Sequence, residues 1–113
     1  MTLINLKFSP EMEERVLQGK KCCTTRDEPK GEAGDIFRVG DRLYRILQID
    51  KRMHPHECSD FKLEGFESWK DLKCEIERIY PSIIKQSEFL SNIGTQGGSE
   101  VYVHFFAYVG EAE

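Results

Sequence analysis

The 113-residue sequence has no apolar run longer than a few residues, whereas a membrane-spanning helix needs about 20. Residues 2–8 also lack the apolar core of a secretory signal, so cytoplasmic residence is the expectation. There is no internal repeat, no low-complexity tract, and no amphipathic tail or peptide-like motif that would mark an adaptor with an obligatory protein partner. A basic excess is missing too. The net charge is −4, which argues against a protein that coats nucleic acid nonspecifically. Cysteine is limited to Cys22, Cys23, Cys58 and Cys74; in a reducing compartment all four are expected to be free thiols.

What remains is the composition of an ordinary globular domain, with 39% hydrophobic and 32% charged residues. Residues 1–113 are long enough for one core and too short for two domains. The charge is uneven. Between residues 15 and 52 ten Lys/Arg face six Asp/Glu, so a local basic cleft on an acidic protein is one reading and a solvated surface the other. Such a cleft suits a single nucleotide or a short strand better than long duplex.

The densest chemistry lies in Gly19-Lys20-Lys21-Cys22-Cys23-Thr24-Thr25-Arg26. A helix over residues 10–18 precedes it, with Ser9 as N-cap, Pro10 in the first turn and Gly19 as the left-handed residue that ends it. After Gly19 the small and β-branched residues predict an extended segment. On such a strand Lys21, Cys23 and Thr25 share one face, and Cys22, Thr24 and Arg26 the other. For Lys21 and Thr24 to act together the chain must turn near Lys21.

Elsewhere, residues 2–8 alternate as a half-buried strand, and residues 27–34 form a loop that serves as a lid or as a plain connection. Residues 36–39 and 42–50 form a hairpin around Gly40-Asp41. Ser68 caps a helix over residues 69–79 in which Trp69, Leu72, Ile76 and Ile79 make an apolar stripe, with Trp69 in the core. Residues 85–99 are a surface insertion or a second rim of the cleft. Val101 to Val109 is the clearest strand: Val101, Val103, Phe105 and Ala107 face the core. On its other face Tyr102, His104, Phe106 and Tyr108 form a second packing layer or a base-binding wall.

His54, His56 and Cys58 alternate as metal ligands would, but their spacing matches no standard zinc pattern and Pro55 marks an irregular loop. Neither a metal nor a cofactor is expected.

The run Gly-x-Lys followed three residues on by Thr-x-Arg resembles the signature of ASCH domains, which belong to the PUA-like superfamily. The resemblance continues through Gly34-Asp35-Ile36-Phe37-Arg38-Val39, Leu63-Glu64-Gly65-Phe66-Glu67-Ser68 and Val101-Tyr102-Val103-His104-Phe105. It implies an α+β fold, a small PUA-like β-barrel of five or six mainly antiparallel strands with two or three helices. Periodicity alone leaves an open α+β sheet equally possible. The family includes a small bacterial amidohydrolase that removes the acetyl group from N4-acetylcytidine. Its resemblance to this chain implies catalytic roles for Lys21, Thr24 and Glu64, with Glu67 competing for the third. Substrate contacts fall to Lys20, Arg26, Arg38 and His104. In the alternative, the same cleft is a non-catalytic module for a nucleoside or single-stranded RNA. In the plainest reading Lys21, Arg26 and Glu64 are a buried ion-pair network.

Overall fold

The computed structural model describes residues 2–54, 61–80 and 99–112. The elements run β1 (Leu3–Ile4), α1 (Pro10–Leu17), β2 (Cys23–Arg26), β3 (Ile36–Val39), β4 (Arg42–His54), α2 (Trp69–Ile79) and β5 (Ser99–Glu111). Both helices start where their local chemistry dictates. Ser9 Oγ accepts from Met12 N at 3.3 Å with Pro10 in the first turn, and Ser68 Oγ accepts from Asp71 N at 3.2 Å. Gly19, at φ 77°, ends α1 in the left-handed conformation that costs other residues a steric penalty. The turn lets Lys20 N and Lys21 N both donate to Arg15 O, at 2.9 and 3.1 Å. No helix among the described residues is long and apolar enough to cross a membrane.

The five strands form one mixed sheet in the order β1-β3-β4-β5-β2, with β1 parallel to β3 and the other pairs antiparallel. Among the described residues β1 and β2 remain the two edges, so the sheet is open and the expected barrel does not close as a hydrogen-bonded ladder. The segment after β1 approaches the edge strand β2 instead. Arg26 Nη2 donates to Lys7 O at 2.7 Å and its guanidinium lies 5.0 Å from the Phe8 ring centre.

The hairpin strand β4 runs to His54, beyond the expected end at residue 50, because β5 pairs with it from Arg42 through His54. Its ladder is interrupted at Leu47, which has no partner on β5. This bulge reverses the alternation. Tyr44 and Ile46 face the core, Leu47 points to solvent, and Ile49 returns to the core side.

The main core joins Leu6, Val16, Phe37, Val39, Tyr44, Ile46 and Phe106. Phe37 meets Phe106 edge-on at 5.1 Å and stacks on Tyr44 at 5.7 Å, the arrangements aromatic rings prefer. A second cluster joins Leu72 and Ile76 of α2 to Val101. Successive residues of β5 point to opposite faces, so this strand is buried on both sides: Val101 and Val103 on one, His104 and Phe106 on the other. The second face is therefore a packing layer. Trp69 departs from expectation; it is 48% exposed, and Leu72 and Ile76 carry the helix contact.

His104, with no exposed surface, fastens the loop after β2. Its Nε2 accepts from Lys30 N at 2.9 Å while Nδ1 lies 3.1 Å from Tyr102 O; together these partners require a neutral ring protonated at Nδ1. Burial pushes its pKa down, against the support of the Tyr102 and Thr24 backbone.

Two outcomes are expected. Phe106→Ala should cost about 3–5 kcal/mol in urea denaturation, the usual effect of emptying an aromatic core site, and a loss under about 1 kcal/mol would contradict the assigned core. Because the native state holds His104 neutral, the unfolded chain binds the extra proton first. Stability should therefore decline as pH falls from about 6.5 through the lower folded value, and His104→Phe should remove that component of the slope.

Candidate functional site

The turn after residue 60 and the start of β2 hold each other. Leu63 O accepts from Cys22 N at 2.6 Å and from Cys23 N at 3.3 Å, which places Glu64 against the edge of the sheet. Gly65 makes this approach possible. Its φ is 88°, and a Cβ there would stand 3.1 Å from Arg15 Cδ and 3.4 Å from Lys21 Cβ. The helix α1 secures the turn from the other side, Arg15 Nη1 donating to Gly65 O at 2.9 Å.

Lys21 and Glu64 meet in this corner, 4% and 2% exposed. Lys21 Nζ donates to the Glu64 carbonyl at 3.0 Å, stands 3.9 Å from Glu64 Oε1, and lies 5.7 Å from the Phe66 ring centre. Both carboxylate oxygens also face Thr25: its N–H donates to Oε1 at 2.8 Å and its hydroxyl to Oε2 at 2.9 Å. Burial pushes the Lys21 pKa below its ordinary value. Glu64 and Cys23 oppose that shift, while Arg26 and Arg15 add to it.

These groups border a cavity of about 300 Å³ between the edge of β2 and α2. Lys21, Thr24, Thr25, Arg26 and Glu64 form its polar side, and Phe8, Met12, Phe66, Leu72, Ile76 and Tyr80 are among its apolar lining. Burial lowers the pKa of Arg26 too, with Tyr80 the main opposing influence. Its Nε is buried with no hydrogen-bond partner among the described residues. An unpaired buried N–H at a cavity wall is costly unless something else supplies an acceptor.

The structure thus brings Lys21, Thr24, Arg26 and Glu64 to one cavity, and the competing carboxylate lies apart from it. Glu67 is exposed and lines a wider polar groove between α1 and α2. Three expected substrate contacts go elsewhere. Lys20 faces that same groove. Arg38 serves its own hairpin, donating to Gly40 O at 2.7 Å and pairing with Asp41 at 3.3 Å. His104 holds the loop at Lys30, so it does not line the cavity.

Thr25, Phe66 and Tyr80 join the site without having been singled out. Only Thr25 had a signal in the sequence, its shared strand face with Lys21. Cys22, Cys23 and Cys74 are in no disulfide, while Cys58 lies outside the described residues. No cluster of metal-ligating side chains occurs among the described residues; His56 and the segment 81–98 lie outside them, as does the side chain of His54.

No family model matches the chain, and neither does any curated protein sequence. Solved structures do. An ASCH domain from Lactobacillus crispatus superposes with a TM-score of 0.61 at 13% identity, over 96% of this chain and 79% of that one. A protein from Enterococcus faecalis carrying the DUF984 family model gives 0.63 at 18% identity, over 97% and 76% of the two chains. A variant of an ASCH protein from Zymomonas mobilis gives 0.56 at 14%, over 96% and 68%. At these identities the likeness concerns architecture, and it agrees with the motif order read from the sequence: the chain has the fold of an ASCH domain.

Proposed function

We propose that the cavity is the active site of an amidohydrolase that converts N4-acetylcytidine to cytidine and acetate. The observation that carries this reading is the buried Lys21 amine. Its pKa is depressed by burial, and it lies beside a carboxylate and in one cavity with the Thr24 hydroxyl. A neutral amine is what a hydroxyl nucleophile needs as its base. The cavity, about 300 Å³, is at the small end of ligand sites, and its aromatic and aliphatic wall suits the face of a base.

In the reaction Lys21 Nζ takes the Thr24 hydroxyl proton as Oγ1 bonds to the acetyl carbonyl carbon. The bond from that carbon to N4 then breaks, and N4 leaves as the amine with a proton delivered from the Lys21–Glu64 pair. Water cleaves the resulting threonine ester, returning the hydroxyl and releasing acetate. Arg26, with one N–H still to be satisfied, offers a donor to a carbonyl oxygen of the substrate or to the developing oxyanion.

The same Arg26 observation favours a second reading, in which the cavity holds an RNA base without turnover. One assay separates the two: release of cytidine from N4-acetylcytidine by the purified protein. Turnover should fall by about 10²–10⁴ in Lys21→Ala and Glu64→Gln, and Thr24→Ala should abolish the covalent route while the protein remains folded. Wild-type kcat in Thr24→Ala would rule out threonine as nucleophile. A folded protein that binds a short RNA in a salt-dependent way and releases no cytidine would support the recognition module instead.

A further inference from the structure

We infer that Thr25 is the positioning residue for Glu64, fixing the carboxylate against Lys21; its catalytic consequence rests on the amidohydrolase reading above. Among the described residues β2 is an edge strand that pairs with β5, so its outward N–H groups call for partners from outside the sheet. Glu64 Oε1 supplies one for Thr25 N. That bond alone would be edge capping, and any residue at position 25 could make it. The second bond is different. The Thr25 hydroxyl reaches Oε2 at 2.9 Å, so both oxygens of one carboxylate are held by one residue, which orients the carboxylate plane.

The consequence falls on Lys21. Glu64 Oε1 stands 3.9 Å from Nζ, and the carboxylate is the leading influence that supports the protonated amine against burial. Loss of the hydroxyl removes one of the two Thr25 donors that orient the carboxylate toward the amine. Within β2 alternation sets Thr25 with Cys23 and Thr24 with Arg26, and Lys21, which precedes the strand, meets Thr25 through the Glu64 carboxylate they share.

The test compares Thr25→Val, which keeps shape and backbone N–H but lacks the hydroxyl, with Thr25→Ser, which restores the hydroxyl. Thr25→Ala replaces the valine variant should the extra methyl prevent folding. Two readouts are taken. The first is the pH midpoint for acylation of Lys21 by a small reagent, read by peptide mass spectrometry without any turnover. It should move down in Thr25→Val and return in Thr25→Ser. The second is steady-state turnover of N4-acetylcytidine, where kcat should fall roughly ten- to a hundredfold with little change in KM and recover in Thr25→Ser. A valine variant with the wild-type labelling midpoint and wild-type kcat would overturn the proposal. If the wild-type protein shows no turnover, the amidohydrolase reading fails by itself, and the labelling midpoint alone decides the role of Thr25.

Discussion

Placing a lysine and a glutamate side by side out of water costs several kcal/mol per ion, and their attraction offsets this only when the remaining donors and acceptors are also satisfied. The corner around Lys21 and Glu64 is built to meet that condition. Lys21 is satisfied by the Glu64 carbonyl, the carboxylate and the face of Phe66. Glu64 is held by two donors of Thr25. The turn that carries Glu64 is tied to β2 through Leu63 O and to α1 through Arg15. Gly19 and Gly65 are the two places where the backbone must take a left-handed turn for these pieces to meet.

The opposing influences on Lys21 do not cancel. Desolvation outweighs the support of Glu64 and Cys23, and Arg15 and Arg26 act in the same direction as burial. The site therefore holds an amine that gives up its proton more readily than a surface lysine, next to the Glu64 carboxylate. A structural ion pair and an acid–base site share this description up to that point. The acid–base reading proposed above draws its support from the cavity, which gives the pair an opening with an apolar wall and a buried Arg26 N–H that has no hydrogen-bond partner among the described residues.

Much of the fold was legible because it is fixed by local chemistry. Ser9, Pro10 and Gly19 set the limits of α1 to within a residue, and Ser68 set the start of α2. Long-range effects were not legible. The bulge at Leu47 and the pairing of β4 with β5 as far as His54 depend on a partner strand far away in sequence. The same holds for the open sheet in place of a closed barrel. Trp69 fits the helical stripe by spacing, yet the helix rotates to bury Leu72 and Ile76. At the site, the motif resemblance pointed to Lys21, Thr24 and Glu64, and these residues border one cavity together with Arg26. Lys20, Arg38 and His104 do not line that cavity, because a count of charges and aromatics carries no direction. Arg38 is spent on its hairpin and His104 on the Lys30 amide, contacts that exist only once the chain has folded.

The account depends on Lys21 being a buried amine whose charge is kept marginal by its surroundings. The most direct measurement is an NMR titration of the Lys21 side chain in the wild-type protein. The account predicts a midpoint clearly below 10.5, the ordinary value for lysine, and a further fall in Glu64→Gln as the carboxylate's support is removed. A midpoint at or above the ordinary value, unmoved by Glu64→Gln, would contradict it and leave the corner a structural ion pair.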